Sequence, residues 1–383
     1  MERHCAVCKG KGLCGLTRCP IKSRFNTLAQ VRPSTEYMGY SPSVFIGSHG
    51  YPSVQGGPLL VNDSDLPTEW LAKGFLIEDI VRIRAGTIRG MSVLNRFPGT
   101  LQEIALSSIP LDVEARFERP VAPDLTFDGT VAPVGLSGSM KALSVIDNAK
   151  VAPPVDRATS DTDLGANEAC NILIRSGVDV YQISRLLSAG LLGRKRKVVP
   201  TRWAITAVDD AVSSGLKREI TRFPALDEIR LFEGYLFGNR IVCMLLPGDW
   251  KFEMLEIWGA KSLWAGDKDY VVRDDETMTK KGYSPISGAY YSARLGVAEY
   301  LKRIGRSARA IVVRHVSGDY WAPLGTWVVR EATRKAMAGS YLGCPDLTTA
   351  TAMASQKLGF SYWIQESRLI PEQKCQRTLY EFF

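Results

Sequence analysis

Long apolar runs are missing from this sequence. No stretch approaches the roughly 18 consecutive apolar residues that a membrane-spanning helix needs, and residues 1–9 contain no hydrophobic core of a secretion signal. Internal repeats and low-complexity tracts are missing as well. These absences argue against a membrane-spanning class and a repeat architecture, so we expect a cytoplasmic globular protein without a membrane partner.

Histidine is scarce, and the usual signatures of nucleophilic catalysis are missing. The sequence holds His4, His49 and His315, and no Ser-His-Asp order or hydrolase elbow accompanies them. His49 and His315 have the chemistry of a general base, but lone histidines are more often structural. The segment from Gly135 to Lys141 contains glycines, two hydroxyls and a lysine. It lacks the P-loop spacing and is predicted to form a simple turn.

The composition is that of an ordinary globular protein. The 383 residues are 45% hydrophobic and 23% charged, and this length allows two or three domains. The net charge is +8, but residues 1–24 alone carry six basic side chains against one acidic side chain. A basic arm of this kind suits a phosphate backbone, and a solvated surface that keeps the protein soluble fits the charge equally well.

Four of the eight cysteines lie within the first nineteen residues. Their pattern is Cys-x-x-Cys followed by Cys-x-x-x-x-Cys, formed by Cys5, Cys8, Cys14 and Cys19. Four thiolates suit a closed tetrahedral Zn²⁺ site, and so short a segment needs a metal in order to fold. An iron–sulfur cluster uses the same ligands and remains the alternative. We predict a zinc-finger-like module with Zn²⁺ as its cofactor.

The last eight residues form a second motif, Gln-x-x-Leu-x-x-Phe-Phe. Its specified positions are Gln376, Leu379, Phe382 and Phe383. One tight helical turn brings residues three apart onto one side, so the leucine and the two phenylalanines would form an apolar plug. The glutamine can form hydrogen bonds at the edge of a pocket. This pattern is typical of a peptide (PIP motif) that docks on the DNA polymerase sliding clamp (PCNA).

Two interpretations of this chain end are open. An apolar C-terminus can fold back onto its own core. Against that, the segment from Ser367 to Lys374 contains Pro371 and several charged side chains, which favours a tether. We therefore expect residues 367–383 to form a flexible tail that presents the clamp-binding motif.

The densest basic run consists of Arg194, Lys195, Arg196 and Lys197, and Arg202 follows beside Trp203. Basic residues interleaved with an aromatic ring suit single-stranded nucleic acid, because bases stack on the ring while the backbone meets the cations. A solvated loop explains the run equally well. We predict that this run binds DNA or nucleotide phosphates.

Carboxylates cluster at three places in the body of the chain. Metal-dependent nucleases hold two divalent ions with such groups, so a nuclease or another nucleotide-processing enzyme is the alternative function. Helix capping and surface pairing explain each cluster more simply. The clusters are Asp156, Asp161 and Asp163; Asp209 and Asp210; and Glu253 and Glu256.

The periodicity of the chain predicts an α+β fold. Three apolar runs between residues 227 and 258 are separated by turn-forming segments, which predicts an antiparallel sheet meander packed with helices. The predicted strands are 44–46, 111–117 and 310–316, and the predicted helices are 25–29, 166–175, 180–187, 287–304, 326–337 and 347–358. We predict a zinc-binding module (1–24), a main α+β domain (25–285), a C-terminal helical and strand region packed on it (286–366) and the flexible tail (367–383).

Five segments together resemble the archaeal Nre family of DNA repair proteins. They are the four-cysteine motif, Ser41–Gly47, Val199–Asp210, Gly288–Arg294 and the terminal clamp motif. The resemblance covers essentially the whole chain. It implies a role in DNA damage repair, a zinc-finger-like N-terminus and docking on the archaeal sliding clamp, and it implies no particular reaction.

The family-like segments also indicate where a ligand would bind. We expect residues 41–51 and 290–294, with Arg294, to form walls beside the basic run, and to enclose a phosphate- or nucleotide-binding pocket. The resulting hypothesis is a clamp-tethered DNA repair protein. A metal-dependent nuclease or nucleotide-processing enzyme is the second hypothesis, and an adaptor that bridges the clamp to other proteins is the third.

Overall fold

The computed structural model describes residues 8, 11–13, 18–61, 63–93, 98–122, 132–277 and 279–375. The first half contains α1 (Pro20–Leu28), β1 (Ser34–Ser41), β2 (Ser43–Ile46), β3 (Gln55–Leu60), α2 (Pro67–Ala72), α3 (Ile77–Gly86), β4 (Ile88–Val93), α4 (Pro98–Leu106), β5 (Leu111–Val121), β6 (Leu136–Val145), α5 (Pro153–Ser160), α6 (Ala166–Arg175), α7 (Val180–Ser188) and α8 (Thr201–Ile220). The second half contains β7 (Ile229–Leu236), β8 (Asn239–Leu246), β9 (Lys251–Trp258), β10 (Tyr270–Glu276), α9 (Gly288–Ile304), β11 (Arg309–Val316), α10 (Trp327–Ala338), β12 (Leu342–Cys344), α11 (Leu347–Leu358), α12 (Trp363–Glu366) and α13 (Leu369–Cys375).

The first sheet closes into a barrel. Its strand order is β1-β5-β6-β4-β3-β2, and Pro42 alone separates β1 from β2. The two edges of the sheet therefore lie on one bent segment, which pairs with β5 before the bend and with β3 after it. β4 and β6 run parallel, whereas the other neighbours are antiparallel. A small barrel brings strands close together, and a Cβ atom on Gly57 would lie 1.9 Å from the carbonyl oxygen of Gly90.

The second sheet is mixed, with the strand order β10-β9-β11-β8-β7-β12. The predicted antiparallel meander is correct for the hairpin of β7 and β8, but β9 does not pair with β8. Instead β11 lies between them, antiparallel to β8 and parallel to β9. The helix α9 between β10 and β11 carries the chain back across the sheet, and such a crossover is what a parallel pair requires. The prediction of an antiparallel sheet was therefore wrong for both sheets.

Helices cover both faces of the second sheet. Cys243 and Leu245 of β8 pack in the same core as α9 and α10, whereas Val242 and Met244 point to the opposite core, which contains residues of α11, α12 and α13. A strand that is buried on both faces is apolar throughout rather than alternating. This explains why the three runs looked like a meander in the sequence.

Several local predictions are confirmed and others are wrong. The predicted helices from 166 to 187 correspond to α6 and α7, and Asp179 caps α7 by accepting hydrogen bonds from two backbone N–H groups. The predicted helix 347–358 and the strand 111–117 are also present. Residues 135–141 do not form a turn, because β6 begins at Leu136. No element is predicted at 270–276 or 77–86, but β10 and the helix α3, which carries Arg82 and Arg84, lie there.

The segment that we expected to be a tether is packed as far as residue 373. Leu369 and Ile370 are buried against the second sheet. The backbone N–H groups of Arg368 and Leu369 donate to the carboxylate of Glu253 at 2.6 and 3.3 Å. A tail that begins at Ser367 is therefore wrong, because these residues satisfy a buried carboxylate. The motif at 376–383 lies outside the described residues.

Among the described residues, no helix is long and apolar enough to cross a membrane.

Candidate anion-binding cavity

A cavity of about 350 Å³ lies between the barrel and the second half of the chain. The bend at Pro42 and the strand β2 form one wall, and α7 with the first turn of α8 forms another. The last turn of α3 and the loop before α10 close the remaining sides. This volume is at the small end of the roughly 300–1,000 Å³ that is usual for small-molecule sites.

Three arginines from three different elements line this cavity, and each is fixed by a contact. Arg84 donates to the carbonyl oxygen of Leu324 and lies 5.1 Å from the ring centre of Trp70. Arg89 lies 5.2 Å from the ring centre of Phe45 and donates to Ser137 Oγ at 2.8 Å. Side chains held in this way lose little further freedom when they bind a ligand.

Arg185 of α7 is the third of these arginines, and it connects the helix to the bend of the barrel. Its guanidinium donates to the carbonyl oxygen of Pro42. Burial lowers the pKa of this guanidinium, and the charges of Asp179 and Asp65 oppose that shift. Burial also lowers the pKa of Arg89, and the positive charge of Arg24 acts in the same direction. Arginine stays charged in proteins, so both groups place positive charge in a poorly solvated space.

Arg330 of α10 also lines the cavity, but it has a buried partner. Its Nε and Nη2 atoms donate to the carboxylate of Asp209 at 3.0 and 2.7 Å. Ser292 Oγ donates to the same carboxylate at 2.6 Å, and the guanidinium lies 5.0 Å from the ring centre of Tyr181. Because this pair is bidentate and fully buried, Arg330 is a structural part of the wall.

Asp65 is the only carboxylate among the described residues that line the cavity. Burial raises the pKa of its carboxyl group, and the nearby guanidinium groups of Arg84 and Arg185 oppose the rise. With Arg330 neutralised by Asp209, three arginines face a single acid. The cavity therefore has an excess of positive charge.

Two of these arginines have donors that bind no acceptor in the part of the chain that the structure describes. The Nε atoms of Arg89 and Arg185 are buried and have no hydrogen-bond partner among the described residues. A buried donor without a partner is costly, and such costs are typical of sites that a ligand completes. An anionic group with several oxygen acceptors, such as phosphate, would supply the missing acceptors and offset the positive charge.

The rest of the lining is largely apolar. Phe45, Trp327 and Tyr181 contribute aromatic surface, and prolines and aliphatic side chains fill the space between them. Such walls suit the uncharged, flat part of a ligand, whereas the arginines suit its charged part. A nucleotide has both parts.

The family-like segments at 41–47 and 199–210 meet at this cavity. Thr201 begins α8 and lines the cavity, and its Oγ1 accepts a hydrogen bond of 2.9 Å from the backbone N–H of Ile46. Ser188 Oγ lies 3.1 Å from the same oxygen. The two segments therefore form one structural unit.

The predicted basic run is at the surface, outside this cavity. Arg194, Lys195, Lys197 and Arg202 are exposed, and Arg196 is half-buried. Arg194 donates to the carbonyl oxygen of Asp163 at 2.7 Å, and Arg196 donates to those of Asp161 and Leu191. Arg196 therefore stabilises the loop, whereas the other cations of the run face solvent.

Arg294 lies inside the protein rather than in a ligand wall. It is fully buried on α9, and its guanidinium donates to Glu276 at 2.6 Å and to Ser213 Oγ at 3.0 Å. It also pairs with Asp210 of α8, and Lys217 donates to Glu276 at 2.9 Å. This ionic network joins α8, α9 and β10, so it places Arg294 among internal partners.

Only part of the predicted metal site can be described. Cys8 is buried and its Sγ accepts a hydrogen bond of 3.2 Å from the backbone N–H of Leu13. Cys19 is half-buried at the start of α1. Cys5 and Cys14 lie outside the described residues, as do Gln376, Leu379, Phe382 and Phe383. Within the described ranges, no three His, Cys, Asp or Glu side chains lie close enough to hold a metal ion.

Two features of the sequence indicate the cavity, although neither belongs to a motif. Arg185 is the only charged residue of the otherwise apolar or neutral helix α7, and Arg89 stands between Ile88 and Gly90 on a strand. A single cation in such surroundings indicates a partly buried charge with a specific role. Arg84 lies near the end of α3, a helix that the sequence analysis did not predict.

The fold and the cavity define a two-sheet α+β protein that can enclose a small ligand with an anionic part and an apolar part. The chain belongs to the archaeal Nre family. The model of the Nre N-terminal region matches residues 13–265, and the model of the Nre C-terminal region matches residues 275–382.

Named relatives are similar over most of their length. The DNA repair protein NreA of Archaeoglobus fulgidus is 35% identical, covering 94% of this chain and 95% of the relative. NreB of the same organism is 35% identical over 99% of both chains. NreA of Haloferax volcanii is 35% identical over 81% of this chain and 80% of its own. No solved structure shows significant similarity to this chain.

Proposed function

We propose that this protein acts in DNA repair, docks on the sliding clamp through residues 376–383 and binds the phosphate of a nucleotide or nucleic acid in the arginine cavity. The repair role is supported by the names of the relatives, which are DNA repair proteins. The clamp contact is supported by the sequence motif alone.

The observation that carries the ligand proposal is the group formed by Arg84, Arg89 and Arg185. All three line one small cavity whose only described carboxylate is Asp65. The buried Nε donors of two of them lack acceptors among the described residues. A phosphate group would supply acceptors to guanidinium groups in a space that water screens poorly.

The test is calorimetric titration of the full chain with AMP, and with adenosine to isolate the contribution of the phosphate. We expect AMP to bind and adenosine to bind at least tenfold more weakly, since charge-assisted hydrogen bonds contribute about 1.5–3 kcal/mol each. Arg84→Gln should weaken AMP binding by about the same factor, because it removes one such contact.

Arg82→Gln is the matched control. Arg82 lies on the same helix, is exposed and pairs only with Asp79 at 3.1 Å among the described residues. This variant removes the same charge without touching the cavity, so AMP should bind as in the parent. Equal weakening by the two variants would mean that general surface charge, and not the cavity, attracts the nucleotide.

We also propose that the four N-terminal cysteines hold one Zn²⁺. The described members fit this role, since the Cys8 sulfur is buried and accepts an N–H bond that would offset thiolate charge. Elemental analysis of purified protein should find about one zinc per chain, with tetrahedral sulfur ligands. Iron in place of zinc would establish the iron–sulfur alternative. Cys8→Ser should lose the metal and leave the melting of the body unchanged.

Asp65 favours a second candidate, a nucleotide-processing enzyme. A carboxyl group with a raised pKa, held beside arginines in a cavity, has the properties of a general acid or base. Incubation of nucleotides and labelled single strands with the protein, with and without Mg²⁺ or Mn²⁺, would reveal new products. If the protein turns over a substrate and the Asp65→Asn variant does not, this candidate function is established. If the variant retains turnover, Asp65 takes no part in the reaction.

A further inference from the structure

The barrel has a specific connectivity. When the bent segment β1–β2 is counted as one strand, the barrel has five strands, which are β1–β2, β3, β4, β5 and β6 in chain order. Around the barrel they run 1-2-3-5-4 and back to 1, and the third and fifth strands are the parallel pair. Helix α4 lies between the third and fourth strands. This is the arrangement of a Greek-key OB barrel, with α2 and α3 inserted between its second and third strands.

Barrels of this kind bind oligonucleotides on a face next to the loop between strands 1 and 2 and the loop between strands 4 and 5. Here the first of these loops comprises residues 47–54, and most of the second lies outside the described residues. A fold does not by itself define a function, so the kind of ligand depends on the side chains that the first loop presents.

Two exposed aromatic rings meet at this loop. Tyr51 of the loop and Trp203 of α8 pack edge to face with their ring centres 5.1 Å apart. They remain 43% and 41% exposed. The hydrogen bond between Ile46 N–H and Thr201 Oγ1 fixes the loop against the start of α8, so the two rings, here called the aromatic platform, are held together on two different elements.

Unpaired cations lie beside the aromatic platform. The side chains of Lys195, Lys197 and Arg202 are exposed and form no hydrogen bond or ion pair with another described residue. Arg202 directly precedes Trp203 in α8. Pro52, Ser53 and Val54 of loop 47–54 line one depression of about 340 Å³ together with Arg196 and Val198, so the platform loop and the basic run border the same depression.

From these contacts we infer that the aromatic platform and its flanking cations bind single-stranded nucleic acid. Bases stack on aromatic rings independently of sequence, and cations along the path neutralise the backbone. A duplex hides its base faces, so exposed rings favour a single strand over a duplex. The path leads to the arginine cavity, because Thr201 lines that cavity and begins the turn of α8 that carries Trp203. This inference rests on the proposed function for its ligand class.

The experiment measures fluorescence anisotropy of a labelled twelve-nucleotide oligothymidylate and of a duplex of equal length with the full chain. The single strand should bind more tightly than the duplex, and Trp203→Ala should weaken it about tenfold, as expected for the loss of one stacked base. Trp203→Phe should retain most of the binding. Arg202→Gln should weaken binding by a similar factor and lower the salt dependence by roughly one counterion.

Trp264→Ala is the matched control, because Trp264 is 40% exposed and also packs edge to face with another aromatic ring, Trp258, at 6.0 Å. It lies in the second half of the chain, so its loss should leave oligonucleotide binding unchanged. Equal effects of Trp203→Ala and Trp264→Ala, or tighter binding of the duplex, would overturn the inference.

The cavity and the platform can fail separately. If Arg84→Gln weakens AMP binding but Trp203→Ala leaves oligothymidylate binding unchanged, the inference about the platform is wrong and the ligand proposal for the cavity is retained. If Trp203→Ala weakens oligothymidylate binding but Arg84→Gln leaves AMP binding unchanged, the inference about the platform is retained and the ligand proposal for the cavity is wrong.

Discussion

At the scale of single residues, Asp65 is the one described acidic side chain in the cavity that we propose as an anion site. Burial raises the pKa of its carboxyl group more than Arg84 and Arg185 lower it. The folded state therefore takes up this proton more readily than the unfolded state does. Its contribution to stability is full below the ordinary pKa of an aspartate and is lost as the pH rises through the raised pKa. At pH values above the ordinary pKa of an aspartate, the burial of this carboxyl group therefore destabilises the empty protein, and its ionised form also repels an incoming anion.

Replacing Asp65 by asparagine should therefore stabilise the empty protein at pH 7 and tighten AMP binding. The gain in melting temperature should shrink as the pH is lowered towards 4, where the parent is protonated as well. Thermal melts in a phosphate-free buffer across this pH range would measure the difference in melting temperature between the variant and the parent.

Asp63→Asn serves as the control, since Asp63 is exposed and its pair with Lys73, at 3.4 Å, contributes about 1 kcal/mol or less. If the Asp65→Asn variant is instead less stable than the parent at pH 7, Arg84 and Arg185 require Asp65 as a counter-ion.

At the scale of elements, the sequence predicts what is local and misses what depends on distant partners. Helix α11 is predicted to the residue, and α7 is predicted together with its cap at Asp179, because amphipathic spacing and a cap are local features. The position of β11 between β8 and β9 depends on a distant segment. No feature of residues 239–258 predicts that a strand about fifty residues further along the chain pairs with both β8 and β9. The cavity is missed for the same reason, because its arginines come from α3, β4 and α7.

The three strands β8, β11 and β9 are joined by one buried arginine. Arg314 of β11 donates to Asn239 of β8 at 2.9 and 2.6 Å and pairs with Glu256 of β9. The other carboxylate oxygen of Glu256 accepts from Trp258 Nε1 at 2.8 Å. This side chain therefore fixes the register of the strand that the sequence could not place.

Arg314→Met should cost about 3–5 kcal/mol, because it leaves a buried carboxylate without its cation. The double variant with Glu256→Gln should recover part of this loss, since the unpaired charge is then removed. Chemical denaturation of both variants would measure the free energies of unfolding. Arg240→Ala on β8 is the control, and its half-exposed pair with Glu233 should contribute no more than about 1 kcal/mol. A loss below that figure for Arg314→Met would mean that backbone pairing alone fixes β11.

At the scale of the whole molecule, the cavity lies where the two halves of the chain are joined. The buried pair of Asp209 and Arg330 connects α8 to α10, and the network around Arg294 connects α8 to α9 and β10. A ligand in the cavity therefore touches the barrel, α8 and the loop before α10 at once. Binding would stabilise the folded chain as a whole, because the ligand contacts both halves in the native state only.

The C-terminal segment divides into a packed part and a motif, and two truncations separate them. Removal of residues 376–383 should abolish binding to the sliding clamp and leave the melting temperature unchanged, since in our proposal these residues contact the clamp. Removal from Ser367 onwards should lower the melting temperature by several degrees. This longer truncation removes Leu369 and Ile370 from the core. Burial of each of these side chains contributes about 1.5–3 kcal/mol to the free energy of unfolding.

The longer truncation also strips the buried carboxylate of Glu253 of three donors, namely Ser367 Oγ and the backbone N–H groups of Arg368 and Leu369. Burial already raises the pKa of Glu253, and these donors oppose the rise. Calorimetry against the clamp and thermal melts of the three chains would decide the matter. Micromolar affinity is expected for the intact chain, because a short peptide offers the clamp only a small contact area. If the shorter truncation instead destabilises the body by several degrees, the plug of Leu379, Phe382 and Phe383 packs on this protein's own core and not on a partner.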